Sequence, residues 1–150
     1  MKIPLLILTF LWCALSLYAG EKEEAFERKF REAISTGDEA LFNLVEFHKL
    51  TPNFFDDAVK SELIDARSRT ITEIEIKDAR ENDVINFVHD GVAYTSTLPI
   101  TKNLVLHFEP VTVTVGRESS AVVSSTFMLG VKDGCYRIVA IKPKMEIQSD

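Results

Sequence analysis

The chain has 150 residues, 46% of them apolar, and a net charge of −6. That length fills one good core and scarcely two, so a single domain is expected. With 23 acidic against 17 basic side chains and no basic run, its surface suits neither nucleic acid nor an anionic membrane, since both are bound through Lys and Arg.

Residues 1–20 read as a leader. Lys2 is a short positive start, Ile3 to Leu17 is almost unbroken apolar sequence, and Ala19-Gly20 precedes the polar run Glu21-Lys22-Glu23-Glu24. This is the layout of a cleavable signal peptide, cut after Ala19 or Gly20. The apolar run is shorter than the ~20 residues of a spanning helix, so the mature chain is not expected to be an integral membrane protein. Leu11 and Trp12 are too bulky for a lipid attachment site at Cys13. The organisation expected is a leader at 1–20, one domain over 21–145 and a polar tail at 146–150, exported to the periplasm or outside the cell. Losing Lys2 takes the charge from −6 to −7, and losing Cys13 leaves Cys135 without a disulfide partner in its own chain.

Glu21 to Thr36 has Phe26, Phe30, Ala33 and Ile34 at helical spacing. Its first turn is acidic, and Glu24–Arg28 and Glu27–Arg31 are favourable i,i+4 pairs. Gly37 stops this helix. Asp38 then reads as the N-cap of a short second helix that buries Leu41, Phe42, Leu44, Val45 and Phe47. Thr51-Pro52 opens a third, running to about Arg67 with Phe55, Ala58, Val59, Leu63 and Ala66 on one stripe.

After Thr70 the period becomes two. Strands are expected at Ile71 to Lys77, Val84 to His89, Val92 to Thr97, Leu104 to Glu109, Val111 to Val115, Ala121 to Val131 and Cys135 to Ile141. Asp90-Gly91 and Asp133-Gly134 signal tight turns, and Gly116 to Ser119 a looser reversal. Helices first and strands after give an α+β fold, with N-terminal helices packed on a curved antiparallel meander.

A helix ending in Gly37-Asp38, a second beginning Glu39-Ala40-Leu41, and a meander ending in Val131-Lys132-Asp133-Gly134-Cys135-Tyr136-Arg137-Ile138-Val139 together resemble the nuclear transport factor 2-like superfamily, with its ketosteroid isomerase-like and cystatin-like α+β rolls. The resemblance implies a cone-shaped roll with a pocket between helix and sheet, and a possible homodimer through the sheet. It implies no single function, because members include isomerases, dehydratases and accessory domains without chemistry. In ketosteroid isomerase-like members the oxyanion-binding tyrosine would fall on Phe30, its acidic partner near Phe127, and the general base near Phe54, with Asp56 and Asp57 close by. Phenylalanine can neither donate nor accept a proton, so isomerase chemistry is not supported at those positions. The Gln-x-Val-x-Gly hairpin of cystatins falls on Thr112-Val113-Thr114-Val115-Gly116, where only the glycine agrees.

His107 is the acid/base candidate. It shares a strand face with Val105 and Glu109, opposite Leu104, Leu106 and Phe108. If that face lines a pocket, His107 and Glu109 would polarise a substrate; on a one-sided sheet both would be solvated. His48 closes the second helix and His89 abuts a turn, so no set of ligands for a metal emerges, and no cofactor motif is found. Cys135 lacks an identifiable base partner and reads as a small filler. The phenylalanines at 26, 30, 42, 47 and 55 read as core, and Phe30, Phe55 and Tyr94 are the candidates for lining a pocket for a small apolar ligand. The leading expectation is an exported, non-catalytic module binding such a ligand or a protein partner. A lyase- or isomerase-type enzyme using His107 is the alternative, and a cystatin-type protease inhibitor the third.

Overall fold

The structure is a computed structural model that describes residues 5–116 and 118–144. Lys2, Arg117 and the expected tail at 146–150 lie outside the described residues. The order is α1 (Leu5–Thr36), α2 (Asp38–Phe42), β1 (Val45–Glu46), α3 (Asn53–Ser68), β2 (Ile71–Asp78), β3 (Asn86–His89), β4 (Val92–Ser96), β5 (Lys102–Val115), β6 (Glu118–Lys132), β7 (Cys135–Val139) and β8 (Ile141–Pro143). Helices precede a largely antiparallel meander, which is the α+β architecture expected from the change in period.

The first helix does not begin at Glu21. It runs through Gly20 without a break, because Gly20 is not in a positive-φ conformation, and a glycine that keeps helical geometry between good helix formers weakens a helix without ending it. Among the described residues no helix is long and apolar enough to cross a membrane. Gly37 does stop α1, with φ of 148°.

The second helix is shorter than expected, and Gly37 stands at its N-cap position, not Asp38. Val45 and Glu46 leave the helix to pair in parallel with Ile138 and Val139 of β7. Ile138 N–H donates to Leu44 O at 2.9 Å and the Arg137 guanidinium to Val45 O at 3.1 Å. Backbone pairing with a buried strand outweighs extension of a five-residue helix that is unstable alone. Thr51 likewise is no cap: its hydroxyl donates to Ile141 O at 2.6 Å, tying the start of α3 to β8.

The strands form two sheets. The larger has the order β1-β7-β6-β5-β2, and the smaller β3-β4-β8. The β3–β4 hairpin therefore sits outside the large sheet, and β2 skips it to pair with β5. The stretch expected as one strand from Cys135 to Ile141 breaks at Ala140, which leaves one sheet for the other; its N–H is taken by Thr97 Oγ1 at 3.1 Å and its carbonyl accepts from Thr97 N at 2.9 Å. Conversely, the two strands expected on either side of Pro110 are one, β5, with a register shift between His107 and Val111. A bulge is where a strand tolerates a proline, because no ladder N–H is needed there. Asp90-Gly91 and Asp133-Gly134 are tight turns with positive φ at both residues, as hairpins of the right twist require. The reversal after β5 is tighter than expected, since Val115 pairs directly with Glu118.

Candidate functional site

The core fills the space between helices and large sheet. Phe30, Leu41, Leu63, Leu104, Leu106, Leu129 and Ile138 are fully buried there, with Phe26, Phe108, Phe127 and Tyr136 beside them. Of the positions matched to isomerase chemistry, Phe30 and Phe127 are thus core residues, while Phe54 is 50% exposed. Among the described cavities none is lined by Phe30, Leu63, Leu104 or Leu129. A cavity of about 60 Å³ between Phe26, Lys29, Cys135 and Tyr136 falls well short of the ~300 Å³ at which metabolite sites begin.

The sequence-derived candidates separate into three places. Phe30 is in the core, its ring 6.3 Å from Phe26. Phe55 and Tyr94 do meet, at 4.9 Å, in an aromatic cluster between the start of α3 and the β3–β4 hairpin, with Phe87 5.4 Å from Tyr94 and Phe54 4.0 Å from Phe55. His89 joins this cluster, 5.2 Å from Phe54. Tyr94 is buried and Phe55 half-buried, so the rings pack on one another. Asp56, next along α3, has Oδ1 buried without a partner among the described residues, and burial raises its pKa.

His107 faces the opposite way. Leu104, Leu106 and Phe108 alternate into the core, so His107 and Val105 stand on the outer face of the large sheet. His107 and Glu109 do not act together. Glu109 is exposed and lies within the register shift, while His107 Nε2 is 2.7 Å from Glu75 Oε2, on the neighbouring strand. Glu75 also takes Lys77 Nζ at 2.7 Å.

Beside this chain lies a groove of about 490 Å³, walled by Lys77, Arg80, Asp83, Asn103, Val105 and Met128. Asp83 Oδ2 anchors its rim by accepting from Arg80 N at 2.7 Å and Asn103 Nδ2 at 2.6 Å. Glu75, Arg80, Asp83 and Asn103 were not sequence candidates, because nothing local announces that β2 lies against β5 or that the loop after β2 folds over the sheet. Among the described residues no three His, Cys, Asp or Glu side chains converge as metal ligands would. Cys135 is exposed, not a buried filler, because it abuts the Asp133-Gly134 turn.

No family model, curated protein or solved structure matches this chain. The 112–116 stretch compared with cystatins lies in the β5–β6 hairpin, and the side chains of 111–115 lie outside the described residues.

Three carboxylates along β2, its end and the loop after it contribute to how stability varies with pH. Hydrogen bonds from Lys77 and then His107 hold the Glu75 pKa below its ordinary value, the Arg80 N–H and then Asn103 do so for Asp83, and Lys102 does so for Asp78. A depressed folded pKa means that the stabilisation is complete above the unfolded pKa and is lost as pH falls through the folded one. The melting temperature is therefore expected to hold from neutral pH to about pH 5 and to fall below about pH 4. Thermal melts across that range check it, and a melting temperature that rises on acidification would contradict it. Lys102, gripped by Asp78 at 2.6 Å and Glu23 at 2.8 Å, has its pKa raised, first by the Asp78 bond, and stays charged throughout.

Proposed function

We propose that this chain is an exported, non-catalytic binding module of nuclear transport factor 2-like build, whose recognition surface is the outer face of its large sheet. The filled interior carries the reading. The helix–sheet space is occupied by Phe30, Leu63, Leu104 and Leu129, none of which lines a described cavity, whereas His107 and the groove beside it stand on the outer face. Export rests on the leader sequence, and the order of helices and meander supports the likeness of build.

The enzyme reading keeps one observation in its favour, the carboxylate at 2.7 Å that orients His107, as a general base would need. Lyases and isomerases acting beside a carbonyl both begin by removing a proton from carbon. Exchange of such protons for deuterium, followed by NMR over a panel of small ketones and hydroxy acids, therefore separates the readings. The chain is expected to give no exchange above background. Exchange that disappears in His107→Gln would overturn the non-catalytic reading. Because His107 is 35% exposed in its side chain, losing its bond to Glu75 is expected to leave the urea midpoint nearly unchanged, so lost exchange in that variant would not report unfolding.

A further inference from the structure

We propose that the chain associates with a second copy of itself edge to edge, the two β2 strands pairing antiparallel about a two-fold axis at Glu75 so that the two large sheets become one. Both outer faces stay open in such a pair, so the association is independent of what that face binds. β2 is the end strand of the large sheet and, among the described residues, pairs with β5 alone. At eight residues it is the long edge, since β1 at the other end has two. The outward N–H and C=O groups of an edge strand are a template for a further strand, and natural edges are blunted by bulges, prolines or charge. The bulge of β2 lies between Ile71 and Glu73, which leaves Glu73 to Asp78 regular, and this stretch has no proline.

The charges on this edge do not repel a second copy, because they carry both signs in a symmetric order. Glu73, Glu75 and Lys77 share the outer face with their β5 partners His107, Val105 and Asn103, while Ile74 and Ile76 pair with the core residues Leu106 and Leu104. With Glu75 opposite its own copy, Glu73 falls opposite Lys77 of the second copy and Ile74 opposite Ile76, and the two-fold axis makes each of these pairs occur twice. Opposite charges and β-branched side chains directly across an antiparallel pair are both stabilising. Ile74 and Ile76 are half-buried in the single chain, so pairing covers apolar surface left at the sheet edge. The two Glu75 carboxylates are the one like-charged pair. Each is held on its own sheet by His107 Nε2 and Lys77 Nζ, both at 2.7 Å, and the three donors of that ammonium can serve Glu75 and the other copy's Glu73 together. No neighbouring register does as well. A shift of two residues sets Glu73 against Glu75 in one direction and Ile74 against Asp78 in the other, and a shift of one sets Ile74 against Glu75.

Sedimentation velocity on the purified protein tests this, under reducing conditions that keep the exposed Cys135 from linking copies. A reversible dimer is expected with a dissociation constant of about 1–100 μM, since a single strand pair is a small interface. Glu73→Lys and Lys77→Glu each set like charges against each other at two places and should weaken the dimer about tenfold or more. An equimolar mixture of the two variants should form heterodimers, and the double variant should dimerise again, which also shows that the variants fold. Cross-linking reads the register. With Cys13→Ser and Cys135→Ser as background, Glu75→Cys should be joined to its copy by oxidised glutathione, because facing Cα atoms lie ~4.5–5.5 Å apart, within disulfide reach. Glu73→Cys, ~13 Å from its copy, should not be joined. A protein that stays monomeric up to about 1 mM would overturn the proposal. So would a dimer indifferent to both charge reversals, one that the mixture fails to restore, or Glu73→Cys cross-linking as readily as Glu75→Cys.

Discussion

Phe30→Ala is expected to lower the stability of the domain by about 3–5 kcal/mol, a fall of roughly 10–20 °C in melting temperature. Phe30 has no exposed surface and sits on α1 among Phe26, Leu63, Leu104 and Leu106. Removing the ring loses its transfer energy and leaves a cavity that neighbours on a helix and a sheet cannot collapse to fill. Phe30→Tyr is the sharper companion, since it restores the side chain that the isomerase resemblance would place there. In a packed interior its hydroxyl is buried without a partner and costs about 1–3 kcal/mol. In an open chamber it would be solvated and nearly neutral. A neutral Phe30→Tyr together with an Ala variant costing under about 1 kcal/mol would restore the interior pocket and undo the outer-face reading.

The α+β order was legible because the switch from helical to alternating period is the strongest signal an isolated sequence carries. The two Asp-Gly turns and the inward set Leu104, Leu106 and Phe108 followed from the same patterning. Three of the misreadings came from partners outside any local window. Val45 repeats at helical spacing yet pairs with Ile138, Thr51 has the look of a cap yet bonds Ile141, and Pro110 has the look of a break yet sits at a bulge. Each outcome was decided by a segment about 90 residues away in the first two cases, or by a neighbouring strand's register, and no local window contains either.

The site was legible in part for the same reason. Alternation placed His107 opposite the core, but its partner is Glu75, 32 residues earlier, and not Glu109. Of the three rings expected to line a pocket, Phe55 and Tyr94 pack on each other and on Phe87 while Phe30 lies apart in the core. Asn103 shares the outer strand face with Val105 and His107 and gives no sign in the sequence that Asp83 will fold over it.

Gly130→Ala is expected to destabilise by about 3 kcal/mol, at the upper end of overpacking, and to lower the melting temperature by roughly 10 °C. Its backbone φ is not positive, so conformational freedom is not the reason for glycine here. The segment between β4 and β5 crosses the sheet directly over it. A methyl at Gly130 would lie 2.6 Å from Leu98 Cβ and 2.7 Å from Pro99 O, inside contact distance on two sides, one of them backbone. The crossing segment cannot simply lift. It is pinned at both ends, by Thr97 N to Ala140 O and Thr101 N to Leu129 O, each at 2.9 Å. Relief would have to break one of these bonds, and Thr97 also holds the point where the chain passes from the large sheet to the small one. Gly134→Ala is the control: it meets nothing within 4 Å but has φ of 77°, so it should cost only the ~1 kcal/mol of a left-handed backbone. Urea titrations of both variants decide the matter. If Gly130→Ala is no less stable than Gly134→Ala, the Leu98-Pro99 crossing does not rest on Gly130. If it is markedly less stable, this close approach is what fixes the segment leading into Lys102 and Asn103, and with it the floor of the outer-face groove.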